Sequence, residues 1–257
     1  MAYNTYRMQV IVDSILTQYI RQGKGKTIVV LHGWADSSAG LHSLCVSLGR
    51  QYDVIALDLP GFGGSAAPST AWGLDEYAAF VQAFLKKVGV KRVWAFVGHS
   101  NGGAMAVRGI ANETLSADRL VLLASAGVRN VYKGRNHALR ILAKAGKVMA
   151  APLPASAKKK LRRKVYKTIG SDMLVAEHMQ ETFKRVVTDD VREDAAKLTL
   201  PTLMVYGEDD EATPVWFGEQ FHELIDGSTL EILPGAGHFV HLDRPKEVEK
   251  ALEDFLR

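Results

Sequence analysis

The chain is poor in cysteine, with Cys45 as its single thiol among 257 residues. One thiol excludes an intrachain disulfide and a metal site built from several thiolates, and it suits a reducing compartment. No apolar run approaches the roughly 18 residues that a membrane-spanning helix needs. The segment from Met1 to Arg7 also lacks the basic stretch, followed by an apolar one, of a secretory signal. We therefore expect a cytoplasmic protein without stable membrane association.

Motifs for nucleotides and metals are missing as well. The chain contains no Gly-Lys-Ser/Thr sequence, and Gly61-Phe62-Gly63 is only a fragment of the Gly-x-Gly-x-x-Gly fingerprint. No His-x-x-x-His pair occurs, and the short acidic runs carry no histidine at metal-ligand spacing. We expect neither a cofactor nor a catalytic metal.

Charge is unevenly distributed along the chain. The net charge is +4, but residues 128–190 hold 15 basic and 5 acidic side chains (+10), and the remainder holds 17 and 23 (−6). The basic run Lys158–Lys164 would suit a nucleic acid or a membrane surface, yet its helical spacing favours a solvated helix face. We expect no nucleic-acid partner, and a weaker hypothesis is that this segment attracts anionic substrates. The sequence does not indicate an oligomeric state.

Short apolar runs alternate with stretches of helical periodicity. An alternating segment from Met8 to Ile20, with Asp13-Ser14 between its halves, predicts a β-hairpin. Continuous apolar runs are typical of strands buried in a parallel sheet. They lie at 27–31, 54–57, 93–97, 120–123, 202–206 and 230–233, and helical stretches lie at 39–50, 74–88, 102–112, 215–226 and 245–256. The alternation predicts an α/β fold with a mostly parallel, doubly wound sheet.

One long interruption separates the strands at 120–123 and 202–206. It carries helical patterning at 136–149, 155–169 and 176–187 and no strand pattern. We therefore divide the chain into a core formed by residues 1–127 and 191–257 and a helical insertion at 128–190. A single core of this size is well within what 257 residues can bury.

The sequence Gly98-His99-Ser100-Asn101-Gly102 follows a strand and precedes a helix. Gly-x-Ser-x-Gly in this context places a serine on a sharp turn above the sheet, and a Cβ at Gly98 or Gly102 would obstruct that turn. The motif alone is weak, because glycine and serine are common in turns.

A serine hydroxyl needs a base to take its proton, and the base needs an orienting acid. Two later loops offer these groups, namely 206–214 with four adjacent acidic residues and 234–239 with His238. Each follows a strand, and the carboxyl ends of parallel strands meet at one edge of the sheet. Three distant stretches of the sequence are therefore expected to converge.

The chain resembles the α/β-hydrolase fold family over nearly its full length. The resemblance rests on five motifs in the family's order: Leu31-His32-Gly33-Trp34, Asp58-Leu59-Pro60-Gly61-Phe62-Gly63-Gly64-Ser65, the Gly98–Gly102 elbow, Gly207-x-x-Asp210-x-x-x-Pro214 and Gly237-His238-Phe239. It implies that Ser100 is the nucleophile, His238 the base and Asp210 the acid, with Asp209 as the alternative acid if the alignment shifts by one residue.

By the same resemblance, the backbone N–H groups of Trp34 and Asn101 stabilise the oxyanion, and the insertion at 128–190 is a cap over the active site. His241 is expected to be structural or to lie at the pocket edge. His99 is expected to pack beneath the elbow, and His32 to brace the oxyanion loop.

Ser100 narrows the range of reactions that the resemblance implies, because relatives that open epoxides or remove halogens use aspartate at the elbow. We expect hydrolysis of a small carboxylic ester, with a thioester or lactone as variants. Hydrolysis of a carbon–carbon bond in a vinylogous diketone, and a non-catalytic receptor of the same fold, remain as alternatives. Cap side chains could line an apolar pocket, although core packing is the simpler interpretation of each; they are Tyr132, Met149, Tyr166, Met173 and Phe183.

Overall fold

The computed structural model describes residues 7–129 and 179–257, and these residues build one eight-stranded sheet. The strands are β1 (Arg7–Val12), β2 (Ile15–Gln22), β3 (Thr27–Leu31), β4 (Asp53–Leu57), β5 (Ala95–His99), β6 (Arg119–Leu123), β7 (Thr202–Gly207) and β8 (Thr229–Leu233). Their order across the sheet is β1-β2-β4-β3-β5-β6-β7-β8. The β1–β2 and β2–β4 pairs are antiparallel, and every other pair is parallel.

This arrangement confirms the predicted fold class and the hairpin. Asp13 and Ser14 form the turn with φ values of 45° and 67°. Positive φ values at both residues give a two-residue turn whose twist matches that of the flanking strands. Because β3 to β8 run parallel, the loops after β3, β5, β7 and β8 all leave the sheet at the same edge. That edge is where the predicted site residues lie.

Two strand predictions need correction. The apolar run at 93–97 predicts a strand two residues too early, since β5 spans Ala95–His99 and pairs with β3 and β6. The run at 230–233 is not a strand buried on both faces. It forms β8 at the end of the sheet, where Leu230 is only half-buried and Ile232 is exposed, because an edge strand has a neighbour on one side only.

Helices cover both faces of the sheet. They are α1 (His42–Leu48), α2 (Leu74–Lys87), α3 (Asn101–Ala111), α4 (Gln180–Thr188), α5 (Arg192–Ala195), α6 (Val215–Leu224), α7 (Val240–Asp243) and α8 (Pro245–Leu256). Alternate residues of a strand point to opposite faces, so Val29 and Leu31 pack in the core with α2 and α3, whereas Ile28 and Val30 pack in the core with α1 and α8. Cys45 lies fully buried in the second core, and burial raises the pKa of its thiol to about 12.

Most of the predicted insertion, including the basic run and the helices expected at 136–149 and 155–169, lies outside the described residues. Its last expected helix corresponds to α4, which packs on the core. The ring of Phe183 lies 5.0 Å from that of Trp34, Thr182 Oγ1 accepts a hydrogen bond from Trp72 N–H (3.2 Å), and Arg185 donates to the Ala71 carbonyl (2.8 Å). Within residues 7–129 and 179–257, no helix is both long and apolar enough to cross a membrane.

Candidate active site

Ser100 lies on the sharp turn between β5 and α3. Its backbone has φ 52° and ψ −121°, a conformation that costs a residue with a side chain roughly 1–3 kcal/mol and persists only where the surroundings enforce it. The Ser100 N–H donates to the Leu123 carbonyl, and the Ser100 carbonyl accepts from the N–H groups of Gly103 and Ala126, each at 3.0 Å. The end of β6 and the first turn of α3 therefore hold the strained serine in place.

The two glycines of the motif make this turn possible by close packing. A Cβ on Gly98 would lie 2.5 Å from the Gly103 Cα, and a Cβ on Gly102 would collide with the Leu31 carbonyl. Both positions therefore require the absence of a side chain, as the sequence predicts.

The loop after β3 packs directly on this turn. A Cβ on Gly33 would lie only 2.9 Å from the Ser100 Cβ. The His32 ring braces the loop, because its Nδ1–H donates to the Gly33 carbonyl (2.7 Å) and its Nε2 accepts from the Leu59 N–H (2.9 Å). This pattern requires a neutral ring, and complete burial lowers the pKa of His32.

Trp34 and Asn101 both line one small, mostly apolar cavity. Within the described part of the chain, neither backbone N–H has a hydrogen-bond partner. Asn101 is the first residue of α3, where the N–H groups of a helix are left unpaired. The remaining lining residues are His32, Gly33, Leu59, Phe62, Tyr77, Met105 and Val186.

Asp210 is the acidic side chain of its loop that meets a histidine. It is 4% exposed, whereas Asp209 and Glu211 are exposed. Its Oδ1 accepts from the N–H groups of Ala212 (2.7 Å) and Thr213 (3.0 Å). Burial alone would raise the pKa of Asp210, but the hydrogen bond and charge of His238, together with the bonds from Thr213, outweigh burial and lower it. Asp210 is therefore a carboxylate at neutral pH.

His238 lies within hydrogen-bond distance of that carboxylate. Its Nδ1 is 2.8 Å from Asp210 Oδ2, which assigns the Nδ1–H to the acid and leaves Nε2 of a neutral ring free to accept a proton. The imidazole is 21% exposed, whereas the Asp210 side chain is fully buried. Among the described residues, the Ser100 hydroxyl makes no hydrogen bond to this ring. The structure thus joins the predicted acid and base directly.

Two further histidines lie close to this site, and one of them connects His238 to the serine turn. His99, which precedes Ser100, donates from Nε2 to the His238 carbonyl (3.0 Å), and the two rings are 4.9 Å apart. His241 lies 5.0 Å from the His99 ring and is 2% exposed. His99 therefore packs beneath the elbow as expected, and His241 is a buried structural neighbour.

Three histidines of this region are buried and neutral. We therefore expect the free energy of unfolding to fall in mild acid. Burial, with smaller contributions from His238 and His241, lowers the pKa of His99 to about 3. The unfolded chain binds this proton near pH ~6.5, so unfolding takes up a proton and the free energy of unfolding falls as the pH drops below that value. Burial also lowers the pKa values of His32 and His241.

Chemical denaturation between about pH 6.5 and about pH 5 tests this. We expect His99→Gln to reduce the slope of the free energy of unfolding against pH by up to about 1.4 kcal/mol per pH unit. The same change at the exposed His222 serves as the control, and the slope of His99→Gln should be smaller than that of His222→Gln. Equal slopes in wild type and His99→Gln would show that His99 is not held neutral.

Thr213 is a polar residue of the site that the sequence motifs do not predict. Its hydroxyl lies between Asp210 and the His238 ring, although the motif treats this position as unspecified. A hydroxyl residue three positions after the acid was the available signal. In the described part of the chain, no cluster of three histidine, cysteine, aspartate or glutamate side chains could hold a metal ion.

Comparison with known proteins places these motifs in a family. The sequence profile of the alpha/beta hydrolase family matches residues 28–251. A 2-hydroxy-6-oxo-6-(2'-aminophenyl)hexa-2,4-dienoic acid hydrolase from Metapseudomonas resinovorans is 28% identical, over 93% of this chain and 87% of its own length. A pimeloyl-[acyl-carrier protein] methyl ester esterase from Aliivibrio fischeri is 24% identical, over 91% of this chain and 95% of its own length.

A solved structure matches nearly the whole chain. A serine hydrolase involved in carbazole degradation superposes with a TM-score of 0.75 at 26% identity. The match covers 98% of each chain. The chain therefore shares its overall architecture with a solved serine hydrolase.

Proposed function

Because the chain belongs to the alpha/beta hydrolase family, we propose that it is a serine hydrolase that cleaves a small carboxylic ester through an acyl-enzyme intermediate. The observation that carries the proposal is the hydrogen-bonded Asp210–His238 pair, which lies at the same sheet edge as a strained serine. A serine, a histidine and an aspartate in this arrangement suit nucleophilic acyl transfer, because the base removes the hydroxyl proton as the oxygen attacks.

Each residue takes one role in the proposed reaction. His238 Nε2 accepts the Ser100 proton while Ser100 Oγ bonds to the ester carbonyl carbon. The N–H groups of Trp34 and Asn101 donate to the resulting oxyanion, and Asp210 stabilises the imidazolium. The carbon–oxygen bond then breaks, the alkoxide takes the proton from His238, and water releases the acid in the reverse sequence. We expect the bond between Ser100 and His238 to form on substrate binding, since such bonds are often long in ligand-free enzymes.

A second candidate is hydrolysis of a carbon–carbon bond in a vinylogous diketone. Its support is the 28% identity to a hydrolase named for a hexa-2,4-dienoic acid. Such a substrate is an anion at neutral pH, and the net charge of +10 on residues 128–190 would attract it. The range of this attraction shortens as the ionic strength rises. The same serine, base and acid would serve this reaction.

We also propose that residues 128–190 form a helical cap over the site. The support comes from α4, whose Phe183 packs on Trp34 and whose Val186 lines the cavity beside Asn101. The described end of this segment thus lies next to the proposed oxyanion groups.

A single substrate panel separates the two candidates. Chromogenic esters of graded acyl length and a vinylogous diketone are assayed side by side at low and high salt. We expect the highest kcat/KM on a short-chain ester, because the cavity beside Trp34 and Asn101 is small and apolar. Preference for the diketone, with strong salt dependence, would instead favour the second candidate. A folded protein that hydrolyses neither class would contradict both.

A further inference from the structure

Thr213 is a buried residue between the acid loop and Pro214 at the start of α6, with 4% of its surface exposed. Its Oγ1 lies within hydrogen-bond distance of three groups. These are Asp210 Oδ2 at 2.6 Å, the Ala124 carbonyl at 2.9 Å and His238 Nδ1 at 3.1 Å. One hydroxyl therefore touches both members of the acid–base pair and a third element of the fold.

The hydrogens available decide how these contacts are shared. The hydroxyl carries one hydrogen, which it donates either to the Ala124 carbonyl or to Asp210 Oδ2. The Nδ1–H of His238 points to Asp210 Oδ2, and a lone pair of the Thr213 oxygen accepts part of the same hydrogen. Whichever oxygen takes the hydroxyl hydrogen, the contact with His238 suits a neutral imidazole that has its hydrogen on Nδ1, the form that keeps Nε2 available as a base.

The third contact connects the pair to the nucleophile. Ala124 follows β6, and two residues of the same segment hold the serine turn, since Leu123 accepts from the Ser100 N–H and Ala126 donates to the Ser100 carbonyl. A bond from Thr213 to the Ala124 carbonyl therefore ties the Asp210–His238 pair to the segment that positions Ser100.

We propose that Thr213 is a positioning residue. It holds the Asp210 carboxylate and the His238 imidazole where His238 can accept the Ser100 proton. This inference rests on the proposed function, because it assigns Thr213 a part in the same reaction. The Thr213 backbone N–H also donates to Asp210 Oδ1 (3.0 Å), and that bond is retained when the side chain is replaced. The proposal therefore concerns the hydroxyl alone.

Thr213→Val tests the hydroxyl at nearly constant shape, and Thr213→Ser restores it without the methyl group. For ester hydrolysis we expect Thr213→Val to lower kcat by about 10–100-fold with KM within about threefold, because misplacing the base slows proton transfer without removing substrate contacts. Thr213→Ser should recover kcat to within about threefold of wild type.

Thr202→Val is the matched control. Thr202 is equally buried, at 1% exposure, and its hydroxyl also donates to a backbone carbonyl, that of Leu200 at 3.0 Å, at the opposite end of β7. Both valine variants should lose some stability, but only Thr213→Val should lose kcat. Wild-type kcat in a folded Thr213→Val, or equal loss in Thr213→Ser, would overturn the proposal.

The failure of this inference is distinguishable from the failure of the proposed function. If a fluorophosphonate does not modify Ser100 in the wild-type protein, the proposed function is wrong. If Ser100 is modified at the same rate in wild type and Thr213→Val, the serine hydrolase proposal stands and the role of Thr213 is refuted. Slower modification in Thr213→Val, with rescue in Thr213→Ser, supports both.

Discussion

Replacing Ser100 with alanine is expected to lower the kcat for ester hydrolysis by a factor on the order of 10⁶. The hydroxyl is the only atom removed, and the acyl-enzyme pathway cannot begin without it. Residual turnover should come from oxyanion stabilisation and binding alone. Substrate affinity should change little, because the backbone N–H groups of Trp34 and Asn101 are retained. Steady-state kinetics on the best ester of the panel measures the loss.

Ser125→Ala is the control for this variant. Ser125 is fully buried and lies close to the same turn, since a Cβ on Gly103 would collide with its hydroxyl. Its Oγ donates to the Ala126 carbonyl (2.9 Å) and takes no part in the proposed reaction. We expect this change to affect stability more than kcat. If the folded Ser100→Ala protein kept turnover comparable to that of Ser125→Ala, Ser100 would not be the nucleophile.

Asp210→Asn is the change with the second-largest expected effect, a loss of about 10⁴-fold in kcat. The carboxylate accepts the Nδ1–H of His238, whereas an asparagine amide that turns its NH₂ toward the ring donates instead. The ring then carries its hydrogen on Nε2, where it no longer accepts the Ser100 proton. The imidazolium formed during the reaction also loses its neighbouring charge.

Asp209→Asn provides the matched control, since it removes the same charge one residue earlier from an exposed side chain. It should leave kcat within about threefold of wild type, as surface substitutions usually do. The unfolding transition of each variant shows whether the fold is retained. Equal losses in the two variants would contradict the assignment of the acid, and a loss confined to Asp209→Asn would move that role to the neighbouring residue.

The sequence predicted the parallel part of the sheet well, because a strand buried on both faces leaves a continuous apolar run. Thr27–Leu31 carries that signal and has the predicted bounds. The position of a strand within the sheet is not encoded locally, which is why Leu230 to Leu233 was predicted to be buried but lies at the edge. The end of β5 was also missed, because the pairing of His99 with Leu123 depends on a strand distant in sequence.

The same distinction applies to the candidate site. Glycine spacing at Gly98 and Gly102 predicts a close backbone approach, and the approach exists. The pairing of Asp210 with His238 follows from the placement of two loops at neighbouring strand ends. Side-chain contacts across loops leave no such signal in the sequence. The hydrogen bonds from Thr213 to the Ala124 carbonyl and from His99 to the His238 carbonyl could therefore not be predicted and are visible only in the structure.

The most direct test of the central claim is to map the covalent adduct after treatment with a fluorophosphonate, which bonds to an activated serine oxygen and loses fluoride. Mass spectrometry of the digested protein should find one adduct, on the peptide that contains Ser100, and His238→Ala should nearly abolish its formation. An adduct on another serine, or none on a folded protein at neutral pH, would contradict the account.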